Sequence, residues 1–314
     1  MLLAPAVSSA QGAVCSNDAD DIRRAALVGI MQMESSQILP VIEKLLERRD
    51  ECSVALRRQA VELLARSREP ERVEIMVRVA RSDPSGVVRR QAVQSIAQAN
   101  TERSTALLDS IFFNATDTDV AETALRGLAQ QTSPGARPAL RRIAESTTLA
   151  TELRVRAVSQ IGASRRTPDD VQYLEDLYGK TTSPQLRQGI LRGIANQRTS
   201  ESTNWLLGVA RDRNSEIELR QVALRSVGQY SSGNAASLEI KDVLALYDEF
   251  ARQPDMQEQV LDILGQRPET AATEKLIQIA SDSANTTLRR RAIQRLAQRR
   301  DPRVRQFLLD IVSR

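Results

Sequence analysis

The stretch LRQGILRGIA at residues 186–195 decides the fold, because its ten-residue pattern returns eight more times along the 314-residue chain. The copies begin at Ile22, Leu56, Val88, Val120, Leu153, Leu186, Leu219, Met256 and Leu288, with spacings of 34, 32, 32, 33, 33, 33, 37 and 32 residues. A fixed period of about 20 to 50 residues marks an array in which each unit is one supersecondary element. With the first residue counted as zero, that position is aliphatic or Met in every copy, and the fifth and eighth after it are Leu, Val or Ile in every copy. The fourth is Ala in seven copies and the ninth Ala or Gly in eight. Positions 0, 4, 5 and 8 fall on one face of a helix with 3.6 residues per turn, so each copy is an amphipathic helix with a narrow seam of small residues. Such a seam lets a neighbouring helix approach closely.

A second apolar segment lies in each period, at 38–46, 73–80, 106–112, 139–144, 171–178, 205–210, 243–250, 276–280 and 304–312. Each period therefore reads as two antiparallel helices, and no strand is expected. Three residues before five of the LRQGILRGIA-type helices stand Ser53, Ser85, Asp117, Ser183 and Asn285. Their side-chain oxygens suit N-caps, which accept from the free N–H groups of a first turn. SREP, TSPG, RRTP and SSGN lie between the segments and read as turns.

The quoted pattern resembles the HEAT-repeat family, in particular the short bacterial HEAT-like repeats also found in phycobilin lyases. The residues that carry the resemblance are SPQLRQGILRGIA, VVRRQAVQSIA and LRRRAIQRLA for the second helix of the unit and ILPVIEKLL for the first. The resemblance covers roughly residues 22–312 and implies an all-α fold, a right-handed α-solenoid of about nine HEAT-like helical hairpins. The ankyrin signature Thr-Pro-Leu-His and the tetratricopeptide Trp/Gly/Tyr pattern are both missing. The period runs without a break, so residues 19–314 read as a single solenoid domain and residues 1–18 as an N-terminal tail. Helices neighbouring in such an array pack about 8 to 10 Å apart.

The opening MLLAPAVSSAQGAVC stands outside the repeat. Its short apolar run followed by Ser8, Ser9 and Ala10 resembles the end of a secretory signal peptide, although a basic leader is lacking. The expectation is an exported, periplasmic protein, with a cytoplasmic one as the alternative. The two cysteines, Cys15 and Cys52, lie just before the first and second repeat helices, so a tail carrying one can reach the other. A disulfide and two separate thiols both fit. No apolar stretch approaches the roughly 20 residues a membrane-spanning helix needs, and the chain is expected to be soluble.

Arginine is the most abundant source of chemistry: the chain has four lysines, so 40 of its 44 basic residues are arginines. Seven second helices carry Arg one residue after their start, namely Arg23, Arg57, Arg89, Arg154, Arg187, Arg220 and Arg289. That position borders the apolar face, where the stem packs and the guanidinium bridges carbonyls or acids of the next repeat, a structural ladder rather than a binding site. Positions two and six after the start hold Arg24, Arg58, Arg90 and Arg290, then Arg126, Arg192 and Arg225. The resemblance implies that this helix lines the concave side, where these seven would make a positive track for an acidic or extended protein partner. Glu62, Glu122, Glu258 and Asp262 interrupt it, as an ordinary solvated face would. A last cluster, Arg289, Arg290, Arg291, Arg295, Arg299, Arg300, Arg303 and Arg305, reads as a docking patch or as a soluble cap.

The chain has no histidine, which removes His-ligated metals, His acid/base pairs and Ser-His-Asp or Cys-His nucleophiles. The di-iron hydroxylase branch of HEAT proteins, built on His-Glu pairs, is excluded with them. No P-loop or dinucleotide glycine fingerprint is present. Asp169 and Asp170 stand at a helix start, where capping and the helix dipole account for them. The reading is a non-catalytic scaffold that needs no cofactor or metal and binds a protein partner along its concave face. A binder of nucleic acid or another polyanion is the second reading, disfavoured by a net charge of only +4 and 3% aromatic residues. A HEAT-like lyase is the third.

Overall fold

A computed structural model describes residues 22–23, 25–27, 29, 35–67, 70–163, 168–228 and 238–313. Arg24, Cys15, the tail at 1–18 and most of the QYSSGNAASL insertion lie outside these residues. Among the described residues from 35 onward, seventeen α-helices follow in order: α1 Ser35–Leu46, α2 Val54–Arg66, α3 Arg72–Ser82, α4 Gly86–Gln98, α5 Glu102–Asn114, α6 Thr118–Gln130, α7 Ala136–Glu145, α8 Thr151–Ala163 and α9 Pro168–Lys180, then α10 Pro184–Asn196, α11 Ser200–Arg211, α12 Ile217–Gly228, α13 Ile240–Glu249, α14 Pro254–Gln266, α15 Thr270–Asp282, α16 Thr286–Leu296 and α17 Pro302–Ser313. Odd-numbered helices are the first of each repeat and even-numbered helices the second. The fold is all-α, with no strand among the described residues.

The helices begin where the sequence supplies caps. Asp117 accepts from the Asp119 N–H at 2.9 Å, Ser183 from Leu186 at 3.3 Å, and Asn285 from both Thr287 and Leu288. Ser53 and Ser85 also stand at N-cap positions but make no side-chain cap bond. Carboxylates just upstream bond instead to the N–H groups of these serines: Asp50, which caps the short turn Glu51–Ser53, accepts from the Ser53 N–H at 2.9 Å and Asp83 from the Ser85 N–H at 2.8 Å. The Ser53 hydroxyl is engaged elsewhere, accepting from the Arg57 guanidinium and donating to the Asp50 carbonyl.

The chain divides into two compact units, residues 1–140 and 141–314. In the first, α2 packs on α4 and α4 on α6, while α3 packs on α4 and α5 on α6 to close each hairpin. In the second, α8, α10, α12, α14 and α16 stack in series, and α9, α11, α13 and α15 pack on their own second helices. The cores are the predicted seams: Leu56, Ala60, Val61 and Leu64 of α2 and Leu186, Ile190, Leu191 and Ile194 of α10 are at most 1% exposed. Burying such side chains contributes roughly 1.5–3 kcal/mol each.

Backbone meets backbone between α8 and α10. A Cβ placed on Gly162 would stand 2.5 Å from the Gly193 Cα, nearer than real Cβ atoms come to backbone. Two facing glycines let the helix backbones meet there.

Candidate functional site

The one-after-start arginines form the expected ladder in part: Arg57, Arg89 and Arg220 reach the next repeat, whereas the bonds of Arg154, Arg187 and Arg289 to carbonyls stay within their own hairpins. Arg57 pairs with Asp83 through Nε and Nη2 at 2.9 and 3.1 Å, and donates to the Asp50 carbonyl and the Ser53 hydroxyl. Arg89 donates to the Asp83 carbonyl and pairs with Asp117 at 2.7 Å. In the second unit, Arg154, Arg220 and Arg289 donate to the carbonyls of Ala144, Ala210 and Ala280, at the ends of the preceding first helices. Arg187 caps Thr181 in the same way and lies over the Tyr178 ring, which meets Trp205 edge-on at 5.2 Å. Trp205 thus serves packing. These guanidinium groups satisfy carbonyls that a helix end leaves without an intrahelical partner.

A second ladder went unread in the sequence. The Gln131 side chain, eleven residues after its helix start, donates at 2.7 Å to the Ala97 carbonyl of the preceding repeat and accepts from Ser104. Gln197 repeats the donation alone, toward the Gly162 carbonyl at 2.9 Å, while its buried Oε1 accepts no hydrogen bond from a described residue. At the same register Arg299 caps the carbonyls of Leu264 and Arg267. The signal was present as a polar residue recurring at position eleven, but its meaning depends on the neighbouring helix ending one turn away.

The outward face of the second helices separates into tethered and untethered arginines. Arg58 sits 3.8 Å from Glu62 within its own helix, Arg90 pairs with Asp119 at 3.1 Å, and Arg225 donates to Gln259 at 3.2 Å. Arg126, Arg192 and Arg290 are exposed, and their guanidinium groups make no hydrogen bond or ion pair with a described residue. Of the residues read as a track, Arg58, Arg90 and Arg126 lie in the first unit, and Arg192, Arg225 and Arg290 in the second. Asp262, expected only to interrupt it, anchors Arg291 at 2.7 Å and Arg295 at 2.8 Å. Burial opposes its ionisation, yet the two guanidinium groups hold its carboxyl below the usual carboxylate range.

A second polar cluster surrounds Asp170, which is fully buried at the start of α9. Arg141 donates to its carboxylate at 3.2 Å and lies over the Tyr173 ring at 4.5 Å, while the Tyr173 hydroxyl donates to the Arg141 carbonyl. Burial first, and then the nearby Glu145 carboxylate, push the Tyr173 hydroxyl well above its ordinary value. Asp170 is therefore an ion-pair residue and not only a helix-start acid. Cys52 is half-buried in the turn Glu51–Ser53 that opens α2. Among the described residues no group of three or more Cys, Asp or Glu side chains is arranged to hold a metal ion.

Stacked helical hairpins, bound by arginine and glutamine ladders and carrying a polar face on the second helices, define an α-helical repeat protein. The family of HEAT repeats matches residues 12–97 and 105–190, more than half of the sequence, and the chain belongs to it. No curated protein sequence matches. Among solved structures, the complex of CpcE and CpcF of phycocyanin lyase from Nostoc sp. PCC7120 is similar at 17% identity over 74% of this chain and 91% of that one, with a TM-score of 0.32. Importin beta in an ammonium sulfate condition is similar at 9% identity over 87% of this chain and 48% of that one, with a TM-score of 0.40. Human deoxyhypusine hydroxylase in complex with glycerol is similar at 15% identity over 90% and 98% of the two chains, with a TM-score of 0.31. At these scores none of the three bears on activity or partners.

Proposed function

We propose that this HEAT-repeat chain is a non-catalytic scaffold, with residues 19–314 acting as one interaction domain that holds a protein partner against the outward face of its second helices. The observation that carries the reading is the division of labour among the arginines. Six of those one residue after the helix start, Arg57 to Arg289, are bonded to carbonyls or acids, whereas Arg126, Arg192 and Arg290 are exposed and untethered. An untethered guanidinium keeps its donors for a partner, and a carboxylate meets them in a bidentate pair. The partner is accordingly a protein with an acidic or extended segment, and no described helix of this chain is long and apolar enough to cross a membrane. We place the protein in the exported fraction, on the likeness of its first residues to the end of a secretory signal.

The test is a cross-linked pull-down of the tagged chain from its own cells, washed at low and high salt, with the triple variant Arg126→Glu, Arg192→Glu, Arg290→Glu run beside it. A stoichiometric protein kept at high salt by the wild type and lost by the variant supports the scaffold. Nucleic acid alone, released by high salt, overturns it in favour of a polyanion binder and removes the case for export. Co-purifying pigment overturns it in favour of a HEAT-like lyase.

A further inference from the structure

The open face of α17 is the strongest feature that the scaffold reading leaves unused. Three of the seven exposed large hydrophobic residues among the described positions lie within four residues on this helix: Leu309 is 56% exposed, Ile311 38% and Val312 86%. The preceding first helix shows what belongs there. In α15 the residues Ala272, Leu276, Ile279 and Ala280 are at most 4% exposed, and α15 packs on its own second helix, α16. The same register 32 residues on places Val304, Leu308, Ile311 and Val312 on α17. Val304, which faces the preceding layer, is 1% exposed, whereas Ile311 and Val312 are open.

The face differs from its α15 counterpart in one respect. Where α15 has the buried Thr273, α17 carries the exposed Arg305, and neither its guanidinium nor that of Arg300, in the turn before α17, bonds to a described residue. Arg303, by contrast, is held by Asp301 and Glu274. A helix laid on α17 in the register of a second helix therefore buries a guanidinium, which is tolerated only with an acid opposite.

We propose that the open face of α17 is a docking site for an amphipathic helix of a protein partner, one with a second-helix apolar pattern and acidic residues set to meet Arg305 and Arg300. The occupant follows from two observations: the face continues an interface already formed between α15 and α16, and its unpaired charge is positive. The contact is a helix laid against a helix face, read by apolar anchors at positions 0, 4, 5 and 8. It lies apart from the second-helix face and does not depend on the scaffold reading.

The probe is a fluorescein-labelled peptide carrying LRQGILRGIA with both arginines replaced by glutamate and flanked by helix-forming residues. Its binding to the full chain is read by fluorescence anisotropy. The expected result is saturable binding that Val312→Glu weakens about tenfold or more. Arg305→Glu should weaken it similarly, and a peptide with lysine in place of those glutamates should regain affinity for Arg305→Glu only. Val312 is exposed, so its variant keeps its fold, which circular dichroism checks. Absence of saturable binding overturns the proposal, as does binding indifferent to both substitutions. Self-association of the wild type that Val312→Glu abolishes in sedimentation also overturns it, since the occupant is then a second copy of this chain.

Discussion

Arg57 and Asp83 form a two-point ion pair between successive repeats, and each side chain is 1% exposed. The pair is bonded further, as Arg57 also donates to the Asp50 carbonyl and the Ser53 hydroxyl and Asp83 accepts from the Ser85 N–H. Burial with these added hydrogen bonds is what lets such a pair hold two repeats in register. Removing one partner leaves the other charged, dry and unpaired.

Asp83→Ala should therefore destabilise the first unit by about 3–5 kcal/mol. The double variant Arg57→Met, Asp83→Leu should recover most of that loss, since no orphaned charge remains. Urea midpoints followed by native-state hydrogen exchange in α2 and α4 measure both. A loss under about 1 kcal/mol for Asp83→Ala would show that the pair is solvated.

Gly162 is the position least able to accept a side chain. Its Cβ would meet the Cα, carbonyl carbon and oxygen of Gly193, all backbone atoms that cannot rotate aside. Gly162→Ala should cost about 1–3 kcal/mol through forced separation of α8 and α10. Gly208 in α11 is the control, because nothing lies within 4 Å of its Cβ direction. Gly208→Ala should raise stability by about 0.8–1 kcal/mol on helix propensity alone. Thermal midpoints of opposite sign are expected, and equal shifts would contradict the close approach.

Asp262 predicts an acid sensitivity. The Arg291 and Arg295 guanidinium groups keep its folded carboxyl below the usual range against the opposing effect of burial. Its contribution is thus complete above the unfolded-state value of about 3.9 and is lost as pH falls through the lower folded value. Asp262→Asn should be less stable than wild type at about pH 6, with the gap closing below about pH 3. A gap that stays constant across that range would mean the carboxylate charge is not what stabilises α14 against α16.

We propose that Cys52 is bridged to Cys15, a residue outside those described. Closing that loop stabilises the fold by about 4 kcal/mol on a chain-entropy estimate. The unreduced, denatured protein should then take up no alkylating reagent, and reduction should lower the first unit's unfolding midpoint. Uptake of two alkyl groups without reductant would exclude the bridge, and with it one support for an oxidising compartment.

The sequence by itself determined the hairpin, its period and its class of fold. Those depend on local physics: a 3.6-residue apolar stripe, small residues at positions four and nine, and helix starts marked by Asp117, Ser183 and Asn285. The ladder arginines were legible for the same reason, since a long basic stem beside an apolar stripe has few places to go.

Tertiary structure decided which arginines remain available. Arg58, Arg90 and Arg290 share position two of the repeat register, yet Asp119 lies 29 residues from Arg90, and only packing of α4 against α6 brings them to 3.1 Å. Gln131 became a carbonyl cap, and Gly162 a contact with Gly193, by the same long-range placement. Periodicity fixes the face on which a side chain stands, but its partner belongs to the next repeat. Whether a guanidinium is spent or free is therefore settled by the separation and stagger of stacked helices, distances that a one-dimensional pattern does not carry.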